Sequence, residues 1–598
     1  LLLRMARLKM TVILTLLLAM TFAEFAIVAG DDGKSTQAVS DFGTTTTIKD
    51  VDSGSRASKA EVEVKDQPKV GDFGTKVRAQ GKVGDVGRKR KLKFLAYVPQ
   101  VGQGHINFLM ALVHLLIDAG HQVTVLAPLM EQGNKYNTSG VHEFIIVPQS
   151  PANYAFEEGK KGFVVDIWRS SSISGFLAFA DHLSKVWTEQ CTATIHVPGL
   201  MARLRAERFD GAFGEIMDTC GLALFHVLGI ERYAMTQSTV ALDGIEAITG
   251  APAAPSYVPG LEGDFGESMS FVERARNLAG LLWRKYLHPR FRTQHQALLE
   301  SLYPGFPDIG EIYANCSLFF VNSEPLIDFP RPTIHRVIPI GGIGVPTRFS
   351  PLNEKWRSLL RLRRHSVLVS FGSWIKSVSM TSEMKGAIKE MARRLPNVTF
   401  IWKYETLEDG TAEDASENLV LAEWLPQNDI LRSGLLSAFV SHGGANSAFE
   451  SVHAGVPVIA VPVQSDQYRN AKMLARLGSA IQLSKVDLVD ADVLVAAVSR
   501  VLNEERFRES ARRTADMLAN RPFALGDIFV QNMEFVARFG PLKQLDPEGR
   551  KMGMVPYFLL DVFTAVAAIV LLIVLVIALI IRCIWRTLFR RISKCKQD

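Results

Sequence analysis

The strongest patterning in the chain runs from Trp424 to Gln467, WLPQNDILRSGLLSAFVSHGGANSAFESVHAGVPVIAVPVQSDQ. Residues 436–441 form a short apolar run that stops at His442, Gly443 and Gly444, after which 446–454 carry helical character. Gly455 tolerates a left-handed cap and Pro457 cannot continue the ladder, so the helix ends there and 458–461 reads as the next buried strand. A strand, a helix and a strand in that order make a crossover unit with a parallel sheet. The same alternation opens at Leu92: strand 92–98, loop 99–104, amphipathic helix 106–119, Gly120 as a C-cap, strand 122–127. Residues 208–212, 222–228 and 233–237 continue it, 316–322 adds a strand, and 366–370 begins a second series. The expected class is α/β.

Two stretches break this regularity. Residues 153–208 and 245–302 are helical, aromatic and poorly periodic, which suits an apolar ligand pocket, contact with a bilayer, or ordinary helical packing. Residues 339–364 are rich in Gly and Pro and then basic, the character of an interdomain linker.

The ends of the chain have their own patterns. Arg4, Arg7 and Lys9 precede an apolar stretch, 10–22, and small residues follow, the form of a secretory signal peptide over 1–29, with an N-terminal anchor as the alternative. Residues 30–91 lack hydrophobic periodicity, repeat KVGDFG as KVGDVG, and read as a disordered spacer. Residues 563–581 contain no charge and are long enough to cross roughly 30 Å of hydrocarbon as a helix. Arg582, Arg586, Arg590, Arg591, Lys594 and Lys596 follow, and such residues stay on the cytoplasmic side, which leaves the body of the protein lumenal. Lys594 and Lys596 fit a dilysine retrieval signal or a plain stop-transfer cluster. The expected division is a signal peptide (1–29), spacer (30–91), first domain (92–340), linker (341–365), second domain (366–540), juxtamembrane segment (541–562), transmembrane helix (563–581) and basic tail (582–598).

Composition refines this in three ways. The 598 residues are 47% hydrophobic and 21% charged, as for a globular protein with added apolar segments. The net charge of +6 is carried mostly by the tail and points to lipid headgroups rather than nucleic acid. Five cysteines form no disulfide framework by spacing: Cys583 and Cys595 lie at or beyond the span, and Cys191, Cys220 and Cys316 leave an odd number with no zinc spacing. Asn137, Asn315 and Asn397 begin N-x-[ST] sequons.

The glycine turn at Gly443 and Gly444 puts a helix N-terminus beside the end of a parallel strand, where free N–H groups and a positive dipole end suit a diphosphate. Asn446 and Glu450 share a helix face, so an amide can meet phosphates while a carboxylate one turn on reaches a ribose diol. Asp466 and Gln467 follow the next strand at the same edge and can accept bonds from sugar hydroxyls, and Trp424 can stack on a planar base.

The run WLPQNDIL, SHGGANSAFES, AGVPVIAVPVQSDQ closely resembles the signature of the UDP-glycosyltransferase superfamily, specifically the membrane-bound animal UDP-glucuronosyltransferases. The resemblance implies two Rossmann-like domains facing a cleft (the GT-B arrangement), followed by one C-terminal transmembrane helix. It implies Trp424 and Gln427 at the uracil, His442 and Asn446 at the diphosphate, Glu450 at the ribose, Asp466 with Gln467 at the sugar, and Gly444 and Ser447 within the same UDP-sugar site. Ser373, in VSFGSW, resembles a further diphosphate contact; a capped strand-end histidine is the other reading of His442.

His105, in GQGH between the first strand and helix, stands where an α/β sheet presents ligand-binding groups and can take a proton from an acceptor hydroxyl, although a helix cap or phosphate contact would also place a histidine there. It resembles the family's catalytic histidine. The family's partner aspartate falls, in RFDGAFGEIMDTCGLALFHVLGI, on Glu215, with Asp218 as the alternative and Asp210 as a strand-end residue. The implied reaction inverts the configuration of glucuronate or glucose as it passes from a UDP-sugar co-substrate to small lipophilic hydroxyl acceptors in the endoplasmic reticulum membrane, with no metal or other cofactor. A dedicated lipid or sterol glycosyltransferase and a non-catalytic UDP-sugar binder are the alternatives. Dimers occur in the family, and no residue here marks one.

Overall fold

The computed structural model describes residues 90–157, 167–168, 173–239, 246–261, 263–346 and 351–594. The signal peptide, nearly all of the spacer, and Cys595 and Lys596 of the tail lie outside the described residues.

Two parallel sheets carry the body. The first has seven strands: β1 (Lys93–Tyr97), β2 (Gln122–Pro128), β3 (Glu143–Val147), β4 (Gly211–Glu215), β5 (Tyr233–Gln237), β6 (Leu318–Val321) and β7 (Val337–Pro339), in the order β3-β2-β1-β4-β5-β6-β7. The second has six: β8 (His365–Ser370), β9 (Val398–Lys403), β10 (Leu419–Ala422), β11 (Ala438–Ser441), β12 (Val458–Ala460) and β13 (Ala480–Gln482), in the order β10-β9-β8-β11-β12-β13. Central strands are buried along almost their whole length, as expected where helices cover both faces, and this is why they read as continuous apolar runs. In each sheet the order reverses once, between β1 and β4 and between β8 and β11. A crevice opens at such a switch point, beyond the carboxyl ends of the strands.

The structure moves one strand. The expected strand 208–212 begins instead at Gly211 and ends at Glu215. Arg208 has φ 51°, and the Asp210 carboxylate accepts the backbone N–H of Lys93 at 2.9 Å, so the turn takes up the first three residues. The aromatic stretches are helical only in part: each holds a long helix, Ile173–Ile195 and the capped Phe271–Leu302, and the two pack on one another, whereas 251–261 and 263–270 are turns and irregular chain. A disulfide joins Cys191, in the first of these helices, to Cys220, in the helix Thr219–Val227. Sequence spacing did not single out this pair.

The domains are interleaved rather than strung in series. The helix Leu525–Phe539, inside the stretch assigned from sequence to the second domain, packs on the first sheet, with Phe529 fully buried against Phe213 and Phe320. Glu534 of that helix meets the buried His121 at 3.1 Å. In the other direction, Ile327 and Phe329, between β6 and β7, enter a core with Phe449, Val452 and Leu474 of the second domain. The expected linker contains the helix Glu354–Arg361, whose Trp356 and Leu360 bury against β8, β9 and β11. The juxtamembrane segment docks on the first domain through Asp546, which pairs with Arg336 at 3.2 Å.

Among the described residues one helix, Leu560–Lys594, is long and apolar enough to cross a membrane. From Leu560 to Phe589 its large apolar side chains are exposed, Leu571 at 70% for example.

Candidate active site

The switch points hold part of the set picked out from sequence: His105 and Glu215 follow or end β1 and β4, Ser373 follows β8 and His442 to Ser447 follow β11, while Trp424 and Gln427 come after β10 and Asp466 and Gln467 after β12. His105 lies in the first turn of the helix Gln103–Asp118, after β1; Glu215 ends β4. The entry to that helix is sharp: Gly102 has φ 61°, and its N–H donates to Glu131 Oε2 at 3.0 Å.

His105 Nδ1 stands 3.6 Å from Glu215 Oε2, with 24% of the His105 side chain exposed against 2% of Glu215. A substrate can therefore touch the imidazole, and the carboxylate acts only through it. That separation exceeds hydrogen-bond length; the atom bonded to Nδ1 is Ser238 Oγ, at 2.5 Å, just beyond β5. The Ser238 N–H donates to Glu215 Oε1 at 3.1 Å, so histidine, serine and glutamate form one group. Burial disfavours the imidazolium, but Glu215, helped by Asp466 and Glu131, outweighs it and holds His105 above its ordinary range.

Asp218 is elsewhere. Its carboxylate caps the helix Thr219–Val227, accepting from Cys220 N–H at 3.0 Å and from the Tyr97 hydroxyl at 2.5 Å. It is completely buried, and burial pushes its carboxyl up. Of the two carboxylates considered from sequence, the one facing His105 is Glu215.

In the second domain β11 ends at Ser441 and the helix Ala445–Ala454 follows, with no side chain capping its N-terminus. Both positions of the turn call for glycine, one through its backbone and one through packing. Gly443 has φ 77°, and a Cβ on Gly444 would lie 2.4 Å from His442 Nε2. Gly372, beyond β8 and beside Ser373, abuts the same ring, where a Cβ would come within 2.8 Å. The buried Lys403 holds that turn by donating to Gly372 O at 2.8 Å and to Glu405 at 2.9 Å. Burial, reinforced by the Lys403 ammonium, pushes His442 down to about 4, so it meets a ligand as a neutral imidazole. Ser373 is exposed at the lip of this turn.

Three predicted residues form a single network: Gln427 Nε2 donates to Glu450 Oε2 at 2.7 Å and to Ser447 Oγ at 3.1 Å. Burial pushes the Glu450 carboxyl up to about 7, against the bond from Gln427 and the Arg432 charge. Gln467 uses its Oε1 to accept from Val463 and Gln464 N–H, which ties the loop ahead of its helix. Asp466 accepts from Asn470 at 3.0 Å, and burial raises its carboxyl. Trp424 is 59% exposed, with the Lys135 ammonium of the first domain 5.1 Å from its ring centre.

The domains meet where the two helix N-termini face one another. Asn446 Nδ2 donates to Gly104 O at 3.1 Å, and a Cβ on Gly104 would lie 2.9 Å from that nitrogen. His105 thus stands one residue from the contact with the glycine turn. Sequence reasoning missed Ser238, Glu131, Lys135 and Lys403; for Ser238 the available signal was its place directly after a strand, at the same sheet edge as His105 and Glu215.

The sequence model of the family described as "UDP-glucoronosyl and UDP-glucosyl transferase" matches residues 95–597. The ugt-56 protein of Caenorhabditis elegans is 31% identical over 408 residues, 68% of this chain and 77% of its own length. Mouse UDP-glucuronosyltransferase 1A7 is 27% identical over 493 residues, 80% of this chain and 89% of its own. The crystal structure of the kitacinnamycin glycosyltransferase superposes with a TM-score of 0.52 at 17% identity, covering 75% of this chain and 99% of that one, and so shares the fold. The two facing parallel sheets are the GT-B arrangement of glycosyltransferases, and this chain belongs to the UDP-glucuronosyl and UDP-glucosyl transferase family as a UDP-glycosyltransferase.

Proposed function

We propose that this enzyme transfers a sugar, glucuronate first and glucose as the competitor, from its UDP carrier to a hydroxyl of a small lipophilic acceptor, with His105 as the general base. The observation that carries the reading is the partly exposed His105, backed by a buried carboxylate, one residue from the point where Gly104 meets Asn446. The acceptor hydroxyl gives its proton to His105 Nε2 while its oxygen attacks the anomeric carbon, and UDP leaves toward the uncapped helix Ala445–Ala454. Growing charge on the diphosphate would meet helix N–H groups, Asn446, Ser373 and the neutral His442. Glu450 and Gln427 would take the ribose and uracil, Trp424 the base face, Asp466 and Gln467 the sugar hydroxyls. A single displacement inverts the anomeric configuration.

The body of the enzyme would lie in the lumen of the endoplasmic reticulum, held by the helix Leu560–Lys594. The disulfide Cys191–Cys220 supports an oxidising compartment, and Asn137, Asn315 and Asn397 are all exposed, as glycan acceptors need to be. The test is UDP release by membranes carrying the full chain, with phenols and sterols as acceptors, UDP-glucuronate against UDP-glucose, and His105→Ala as control. Acceptor-dependent release with one donor, lost in the control, is the expected result. Undiminished release by the control would remove His105 from the chemistry.

A further inference from the structure

We infer that Ser238 is a positioning residue for the base, holding His105 in the tautomer that leaves Nε2 free to accept a proton; this rests on the reading of His105 given above. Three observations meet here. Ser238 Oγ lies 2.5 Å from His105 Nδ1, well inside the 3.6 Å that separates this nitrogen from Glu215 Oε2. Ser238 is 5% exposed and fixed at both ends of its backbone: its N–H donates to Glu215 Oε1 at 3.1 Å, and its carbonyl accepts from Asn322 Nδ2 at 2.7 Å. Asn322 Oδ1 in turn accepts the N–H of Gly342, in the connection between the domains, at 2.9 Å.

A hydroxyl can donate or accept, so Ser238 alone would leave the imidazole tautomer open. Glu215 decides it. Its Oε2 is buried, has no hydrogen-bond partner among the described residues, and faces the same Nδ1, so its charge favours the proton on that nitrogen. Nδ1–H then donates to Ser238 Oγ, and the lone pair on Nε2 points away from both. The two residues divide the task an aspartate would perform alone: Glu215, too far for a direct bond, supplies charge, while Ser238 supplies aim. A misplacement of reacting groups by 1 Å can cost about 10²-fold, which sets the scale of what aim is worth.

The experiment compares Ser238→Ala, Ser238→Thr, Glu215→Gln and His105→Ala in membranes holding the full chain, reading kcat, KM for the UDP-sugar, the pH profile of kcat/KM, and thermal protection by UDP. Ser238→Ala is expected to lower kcat about 10- to 100-fold with KM for the donor unchanged. The acid limb of its pH profile stays in place because Glu215 remains, and Ser238→Thr, which keeps the hydroxyl, recovers most of the rate. Glu215→Gln is expected to move the acid limb to lower pH, since the charge that raises His105 is gone. Wild-type kcat in Ser238→Ala, with His105→Ala inactive, would overturn the role of Ser238 alone. Loss of UDP protection in Ser238→Ala with no recovery in Ser238→Thr would make Ser238 a packing residue and also overturn it. An active His105→Ala would overturn this inference together with the reading beneath it.

Discussion

Lys135 of the first domain places its ammonium 5.1 Å from the centre of the Trp424 indole in the second, across the mouth of the cleft. The loop carrying it is held by Gln103, whose side chain accepts the Lys135 N–H at 2.9 Å and donates to its carbonyl at 2.6 Å. Trp424 is the surface proposed to receive uracil, so the lysine occupies the seat of the base. An exposed cation–π contact is worth about 0.5–1 kcal/mol, equivalent to a roughly two- to fivefold change in affinity. Lys135→Ala is therefore expected to tighten UDP binding by up to about fivefold, read by titration of thermal protection. Weaker binding would mean that the ammonium serves the diphosphate instead.

The glycines around His442 make a sharper prediction. An added Cβ at Gly444 or Gly372 would lie 2.4 or 2.8 Å from the half-buried imidazole, so the ring must move, and at Gly372 the φ of 89° adds backbone strain. Gly444→Ala should weaken UDP binding at least about tenfold, the scale of one lost hydrogen bond to a charged group. Gly386→Ala is the control: it lies in the helix Ser382–Arg394 with nothing near its would-be Cβ, and should leave binding unchanged. Equal behaviour of the two variants would contradict the packing around His442.

Glu450 carries a pH signature. Its carboxyl is raised from 4.5 to about 7, so the folded protein holds a proton there that the unfolded chain releases earlier. The associated stability is fully present below 4.5 and is lost as pH rises through about 7. Melting of the ligand-free protein should show this decline, and Glu450→Gln should flatten that component. A wild-type and variant pair with parallel pH profiles would count against the buried, protonated carboxyl.

The buried pair Arg469–Asp328 ties the domains at 2.5 Å; Arg469 is wholly buried and also donates to Pro259 O at 3.1 Å. Burial alone would raise the Asp328 carboxyl, but Arg469, Arg331 and Ser323 outweigh it and hold it low. Its stabilisation is therefore present above the ordinary carboxylate value and is lost as pH falls through the depressed one. Asp328→Asn leaves a buried guanidinium without its carboxylate and should cost about 3–5 kcal/mol. Arg469→Met should cost less, because Asp328 keeps Arg331 at 3.3 Å and Ser323 at 2.6 Å. Denaturant unfolding in detergent separates the two, and the reverse order would refute this account.

Much of the molecule was legible because its determinants are local. The unit from β11 to β12 could be read from an apolar run, two glycines, a helical stretch and a Gly-x-Pro stop, each acting through its own backbone. The start of β4 was misplaced by three residues because Arg208 takes a left-handed turn and Asp210 is spent on Lys93, a contact across more than a hundred positions. The disulfide was missed for a related reason: cysteine spacing carries no record that the helices of Cys191 and Cys220 pack together.

By itself the sequence determined the α/β class, the parallel sheets, the glycine turn and which side chains stand at strand ends, since period, propensity and backbone freedom act over a few residues. Only the tertiary structure decided that Glu215 and not Asp218 faces His105, that Ser238 stands between them, and that Leu525–Phe539 returns to the first sheet. These pairings join strands and helices far apart in the chain. They follow from sheet order and from the geometry of packed layers, which no short window of sequence contains.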